Sequence, residues 1–269
     1  MELSTAEMSR ICCFMKSHYG VDLTDKGVLV SGRLVNKLTA AGYSSYNEFM
    51  DRVEADPKGE EAHLLINTLT TNHTFLMREP VHFEFMREVA LPEIRHRCAD
   101  TKDVRIWSAA ASSGEEAYSI MMTLKDFFGF DAGAWDTKVL ATDISTKALA
   151  KAKEGIFTPE QVVNLPGRWL KVYFNRLADG NFQIRPEYRD EIIFNTFNLM
   201  DPFPWKKKFH IIFLRNVMIY FDEATKRELI DKMYRFLEPG GYLFIGTTET
   251  IDNSATRLQH VRPSIYVRP

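Results

Sequence analysis

Residues 104–118, VRIWSAAASSGEEAY, constrain the fold of this chain more than any other stretch. Val104, Ile106 and Ser108 alternate with Arg105 and Trp107, the period of a strand, and the small residues from Ala109 to Gly114 then make a turn. Ser112 and Glu115 have the S-x-x-E spacing of a capping box, so a helix is expected to begin there. A strand running through a small-residue loop into a helix N-terminus is the nucleotide-binding corner of a doubly wound α/β sheet. The G-x-G-x-x-G spacing is absent, and Glu115 and Glu116 stand where a diphosphate needs donors and positive potential. The two carboxylates repel a diphosphate and tolerate a ligand bearing an ammonium or sulfonium group. The expected ligand is therefore S-adenosylmethionine rather than NAD or ATP.

At 269 residues the chain suits one α/β domain with a smaller helical attachment. A formal net charge of −2 gives no global argument for nucleic-acid binding. The cysteines, Cys12, Cys13 and Cys98, lack metal-ligand spacing and fit reduced thiols in a cytoplasmic protein. No run of about 18 apolar residues predicts a membrane span. The N-terminus carries no pattern of a signal peptide.

Residues 1 to about 90 read as helical. One helix is closed by Gly20, others are expected over Leu29–Ala41, Tyr46–Ala55 and Gly59–Leu69, and another over Val81–Cys98. Strands and helices then alternate: KVLATDIS (138–145), a helix from Thr146 to Glu154, FHIIFLRN (209–216), a helix from Glu223 to Leu237, YLFIGTTE (242–249) and SIYVRP (264–269). Pro239-Gly240-Gly241 reads as a tight turn, and the last two of these strands as a hairpin. Residues 165–197 break the alternation and predict a hairpin turning at Ala178-Asp179-Gly180. The pattern implies a mostly parallel sheet with right-handed crossovers.

Several residues have both a functional and a plain reading. Asp143, ending the second strand, either accepts from ribose hydroxyls or caps the helix at Thr146. Asn198 and Leu199 follow a third strand and either flank an adenine ring or, for the amide, satisfy local backbone. Arg215-Asn216 ends the most apolar strand, where an arginine is costly unless paired. Tyr220 either projects into the same cleft or packs as a core aromatic. Arg78, in the polar run TTNHTFLMREP (70–80), is either a bidentate partner for a carboxylate or a surface arginine bonded to Glu79 or a helix end. His73 has no metal-partner spacing. Lys26, Arg33 and Lys37 lie in a stretch (26–47) without an acid and suit either an acidic partner or a solvated face.

Taken in order, the motifs TTNHTFLMREP, IWSAAASSGEEAYSI, ATDIS, FNL, LRNVMIYF and PGGYLFIGTTE resemble the CheR family of chemotaxis-receptor glutamate O-methyltransferases over nearly the whole chain. The resemblance implies an α/β, Rossmann-like S-adenosylmethionine-dependent methyltransferase domain (79–269). It also implies a small all-helical N-terminal receptor-docking domain (1–78) and an inserted antiparallel β-hairpin subdomain at about 165–195. It places the cofactor, S-adenosyl-L-methionine, against Asn72, Thr74, Arg78, Glu115, Asp143, Asn198, Leu199, Arg215 and Asn216, with Arg78 and Tyr220 at the reacting centre. The helical domain of the family docks on receptor methylation helices through a basic helix, which gives Lys26, Arg33 and Lys37 a partner-docking role. His73, Ala117 and Leu214 depart from the usual glutamate, proline and cysteine of the family without removing an assigned polar group.

The implied reaction turns glutamates of a methyl-accepting chemoreceptor's cytoplasmic domain into methyl esters, with S-adenosyl-L-homocysteine as product. Family members that tether to a receptor-borne pentapeptide carry a longer glycine-containing loop in the hairpin. The short NRLADGN here predicts independence from such a tether. A monomer is expected, without nucleic-acid partners or membrane insertion. The alternatives are a methyltransferase for another acceptor and a cofactor-binding scaffold without turnover. The scaffold predicts loss of Arg78, Asp143 or Tyr220, and all are present.

Overall fold

In the computed structural model, which describes residues 1–252 and 254–269, the helical segment is bounded by caps that the sequence supplies. Helix α1 (Thr5–Tyr19) starts at Ser4, whose hydroxyl accepts from the Glu7 N–H while the Glu7 carboxylate accepts from the Ser4 N–H. It stops at Gly20, where φ of 71° is a left-handed value glycine tolerates. Helices α2 (Gly27–Ala40), α3 (Tyr46–Ala55) and α4 (Glu60–Leu69) follow, with the Ser45 hydroxyl capping α3. Ile11, Met15, Leu34, Leu38, Phe49 and Leu65 bring their apolar faces into one core. This packing ends at Leu69, short of the expected boundary at residue 78, and the polar stretch 70–79 links it to the rest.

Helix α5 (Pro80–Phe85) passes through a π turn (Met86–Ala90) into α6 (Leu91–Arg97). The chain continues as β1 (Ile106–Ser108), α7 (Glu115–Phe128), β2 (Val139–Asp143) and α8 (Thr146–Glu154). An insertion contains β3 (Ile156–Phe157), α9 (Pro159–Val162), α10 (Gly167–Tyr173), β4 (Phe174–Arg176), β5 (Phe182–Ile184) and α11 (Pro186–Arg189). Then come β6 (Ile192–Thr196), β7 (Phe209–Leu214), α12 (Glu223–Phe236), β8 (Leu237–Ile245), β9 (Gln259–Arg262) and β10 (Ile265–Val267).

The main sheet has the order β6-β2-β1-β7-β8-β10-β9, parallel from β6 to β8 and antiparallel at β10 and β9. It is a doubly wound α/β sheet, and β7 shows why it is covered on both sides. Ile211 and Phe213 face the layer of α5, α6 and α7, while Ile212 and Leu214 face α12 through Leu229, Ile230 and Met233. The strand order reverses between β1 and β7, so the crevice at their carboxyl ends is the topological switch point.

Five expectations are corrected. Ser112 does not cap α7: the N-cap is Gly114 at φ 96°, and Ser112 itself sits at φ 51° within the preceding turn. The small antiparallel sheet, β3-β5-β4, begins at Ile156 rather than near 165, because Gly155 at φ 61° turns the chain directly from α8 into β3. Residues 192–196 of the expected hairpin instead form the edge strand beside β2, leaving the hairpin itself at Phe174–Ile184. Pro239-Gly240-Gly241 lies inside β8 at a bulge against β7 rather than in a turn before it. A Cβ at Gly241 would meet the Glu238 carbonyl oxygen at 2.8 Å, so the close backbone approach requires glycine. At the C-terminus β10 does pair antiparallel with β8, but the hairpin there is β9–β10, and β9 is a strand that the sequence pattern does not predict.

Candidate active site

A cavity of about 320 Å³ opens at the switch point, walled on one side by the sheet's carboxyl ends and on the other by the helical domain. Ala109, Ala110, Ser112 and Asp143 line it from β1 and β2, and Met15, Tyr19, Leu23 and Lys26 from the helices. The domains are tied around it. The Asp22 N–H donates to the Tyr220 carbonyl at 2.9 Å, and the Asn198 amide donates to the His18 carbonyl at 2.7 Å.

Asn72, Thr74, Arg78, Asp143, Asn198, Leu199, Arg215, Asn216 and Tyr220 all line this one cavity, although they span 149 positions of sequence from Asn72 to Tyr220 (220 − 72 + 1). Glu115 does not line it. As the first residue of α7 it turns its carboxylate back onto the Ser113 hydroxyl at 2.8 Å, and burial pushes its carboxyl above the usual range. Glu116, about 100° further round the helix, is the acid that faces the cavity.

The plain and functional readings of Asp143 now separate. Helix α8 is capped by the Ser145 hydroxyl, which accepts from the Ala148 N–H at 3.1 Å, so Asp143 is not its cap. Its carboxylate instead accepts from the N–H groups of Ser112 and Ser145, both at 2.8 Å, which fixes it at the cavity wall. Burial raises its pKa, against the lowering effect of those two N–H donors. Asn198 satisfies local backbone through its carbonyl, which accepts from the Met200 N–H at 3.0 Å, and it lines the cavity as well.

Arg215 is paired, as its burial requires. Its guanidinium lies 3.0 Å from Glu116 and 3.1 Å from Glu79, and it donates to the Arg78 carbonyl. At Glu79 burial opposes ionisation, but Arg215, the Thr247 N–H and the Asn216 amide together hold the carboxyl below its ordinary value. With Glu79 so occupied, Arg78 donates to the His73 carbonyl at 2.8 Å and lies over the Phe75 ring at 5.9 Å. Among the described residues Arg78 forms no ion pair, so it is a cation in the cavity wall open to an anionic ligand. Tyr220 is half-buried: it packs against the core on the α12 side of the sheet and also lines the cavity, so it meets both readings.

The three expected docking cations diverge. Lys26 stands at the cavity mouth and Lys37 is exposed, while Arg33 donates to the carbonyls of Leu69 and Thr70 and to the Thr71 hydroxyl. Arg33 therefore fastens the end of α4 and the linker. Sequence reasoning missed Glu79 and Glu249, whose carboxylates hold the segments on which Arg78 and Tyr220 stand. Among the described residues no cluster of three His, Cys, Asp or Glu side chains could hold a metal, and no helix is long and apolar enough to cross a membrane.

A doubly wound sheet with an antiparallel final hairpin, a glycine-poor first loop and an acid ending β2 defines an S-adenosylmethionine-dependent methyltransferase. Its particular kind follows from sequence comparison. The family model described as "CheR methyltransferase, SAM binding domain" matches residues 72–267, and "CheR methyltransferase, all-alpha domain" matches residues 6–70. The chain belongs to the CheR methyltransferase family. Chemotaxis protein methyltransferases of Borreliella burgdorferi, Salmonella typhimurium and Escherichia coli are similar to it at 36%, 37% and 35% identity. These matches cover 99%, 94% and 99% of this chain and 95%, 86% and 92% of the respective relatives.

Proposed function

We propose that this enzyme methylates glutamate side chains in the cytoplasmic domain of a chemoreceptor, and that Arg78 and Tyr220 flank the reacting atoms. The observation that carries the reading is the pairing pattern around Arg78: Glu79 is taken by Arg215, which leaves the Arg78 guanidinium available to a carboxylate. S-adenosylmethionine, when bound, supplies an electrophilic methyl group on a sulfonium centre. Asp143 accepts from the ribose hydroxyls, and Asn198 and Leu199 lie along the adenine. Asn72, Thr74, Arg215 and Asn216 supply the remaining polar wall, and Glu116 takes the place expected for Glu115.

A glutamate carboxylate is ionised at neutral pH, its ordinary pKa being about 4.3. It needs no general base. The protein's work is to hold one carboxylate oxygen in line with the methyl group and to exclude water. Arg78 orients that carboxylate, Tyr220 limits its approach, and the helical domain closes the cavity from above. Lys26 at the mouth and the exposed Lys37 on α2 offer positive charge toward acidic receptor helices. The hairpin turn from Leu177 to Asn181 is closed on itself by backbone bonds, which supports docking without a pentapeptide tether. The enzyme works as a monomer.

Receptor-containing membranes incubated with methyl-labelled S-adenosylmethionine test the reading. Alkali-labile label on the receptor band is the expected result, since a carboxyl methyl ester hydrolyses in base. Alkali-stable label would point to nitrogen or thiol methylation and refute the glutamate assignment.

A further inference from the structure

Arg78 and Tyr220 stand on different segments, the linker 70–79 and the loop after β7, and both segments are fastened to a third, the turn after β8. Glu249 in that turn is only 7% exposed. Its Oε2 accepts from the N–H groups of Asn216 at 2.9 Å and Gly246 at 2.7 Å, and its Oε1 from those of Met218 at 2.8 Å and Ile219 at 3.3 Å. Three of these donors belong to the loop that ends in Tyr220. Asn216 holds φ of 56°, a left-handed conformation that a residue with a side chain keeps only when its surroundings fix it.

The other segment is held from the same place. Thr247 donates its N–H at 3.2 Å and its hydroxyl at 3.1 Å to Glu79, the neighbour of Arg78. Glu79 has φ of 60° directly before Pro80, a position where sterics favour extended backbone, so its conformation too is imposed. Neither Thr247 nor Glu249 lines the cavity.

We propose that Glu249 is a positioning residue for methyl transfer, holding Tyr220 in place relative to Arg78 through the backbone of residues 216–219. A carboxylate suits the task because it is acceptor-only, with lone pairs for four donors. An amide of the same shape turns its own N–H₂ toward two of them. The proposal rests on the reading of Tyr220 as part of the reacting centre.

A double-mutant cycle tests it, using wild type, Y220A, E249Q and the double variant with labelled S-adenosylmethionine and receptor-containing membranes. Thermal midpoint and cofactor Kd are measured on each. Y220A is expected to lower kcat at least about tenfold, and E249Q on the order of a hundredfold, the cost of a displacement near 1 Å. Cofactor Kd stays within about threefold in E249Q, and the double variant is no slower than the slower single one, because Glu249 acts through Tyr220. Wild-type kcat in E249Q, or losses that multiply in the double variant, overturn the proposal and leave the reading of Tyr220 intact. Wild-type kcat in Y220A, or no transfer by the wild type, overturns that reading and the proposal with it. If E249Q fails to fold, E249D, whose carboxylate is one methylene shorter, carries the same cycle and the same criteria.

Discussion

Arg215 and Glu116 face each other at 3.0 Å beneath the cavity, with the arginine side chain only 2% exposed. Glu79 completes the group at 3.1 Å, and the Phe83 ring lies 5.7 Å from the guanidinium carbon. One cation offsets two nearly buried carboxylates. An apolar residue in place of Arg215 leaves both acids without compensation, and breaking such a buried pair costs about 3–5 kcal/mol. Denaturant unfolding of R215M against wild type measures the loss, and a change under about 1 kcal/mol would place the pair in the weakly contributing surface class.

Two buried histidines predict the acid sensitivity of the fold. Burial holds His82 at a pKa of about 4, and burial with the Arg105 guanidinium nearby holds His210 at about 4, both below the ordinary 6.5. His210 Nδ1 accepts from the Arg105 N–H at 3.0 Å, so protonation there breaks a backbone contact. Since the folded pKa is depressed, the stabilisation is present above pH 6.5 and is lost as pH falls toward 4. Each histidine contributes a slope of about 1.4 kcal/mol per pH unit in that window. Unfolding free energies of wild type and H210Q, measured from pH 7 to 5, should differ in slope by that amount. Parallel curves would show that His210 titrates normally.

Much of the architecture is legible because local chemistry and long-range packing agree. Ser45 and Ser145 cap helices that begin where expected, at Tyr46 and Thr146, and Gly20 closes the first helix through a left-handed residue. Strands β3, β4 and β5 have two or three residues each, too few to display a period. Whether Glu115 or Glu116 faces the ligand depends on the phase of α7, which Gly114 sets and the presumed Ser112 cap misplaced by two residues. Glu79 and Glu249 carry little local signal, because apart from His82 beside Glu79 and the Gly246 N–H beside Glu249 their partners are backbone and side-chain groups 30 or more positions away.

Gly114 is required for two independent reasons. Its φ of 96° suits glycine alone, and a Cβ there would stand 2.9 Å from the Ala152 Cβ, where α7 packs on α8. G114A is expected to lower stability by about 1–3 kcal/mol and to weaken cofactor binding, since the loop it ends carries Ser112 and the contact to Asp143. Thermal unfolding with calorimetric titration checks both, and an unchanged midpoint would mean that the loop relaxes freely.

The proposed independence from a tether has a direct consequence in solution. A receptor C-terminal pentapeptide of the kind used by tethered relatives is expected to show no saturable binding up to millimolar concentration by calorimetry. Micromolar affinity would show that the short hairpin from Phe174 to Ile184 still accepts an added strand at its β4 edge.

The cavity between helical domain and sheet is the proposed meeting place of cofactor and acceptor, and Asp143 is its most sharply defined polar wall. Calorimetric titration of S-adenosylmethionine into wild type, D143N and E115Q, each checked for an unchanged thermal midpoint, examines this directly. Loss of a charge-assisted hydrogen bond in D143N should weaken binding by about tenfold or more, at about 1.5–3 kcal/mol, with E115Q within about twofold of wild type. Equal affinity in D143N and wild type, or a greater loss in E115Q than in D143N, would contradict the placement of the cofactor in this cavity.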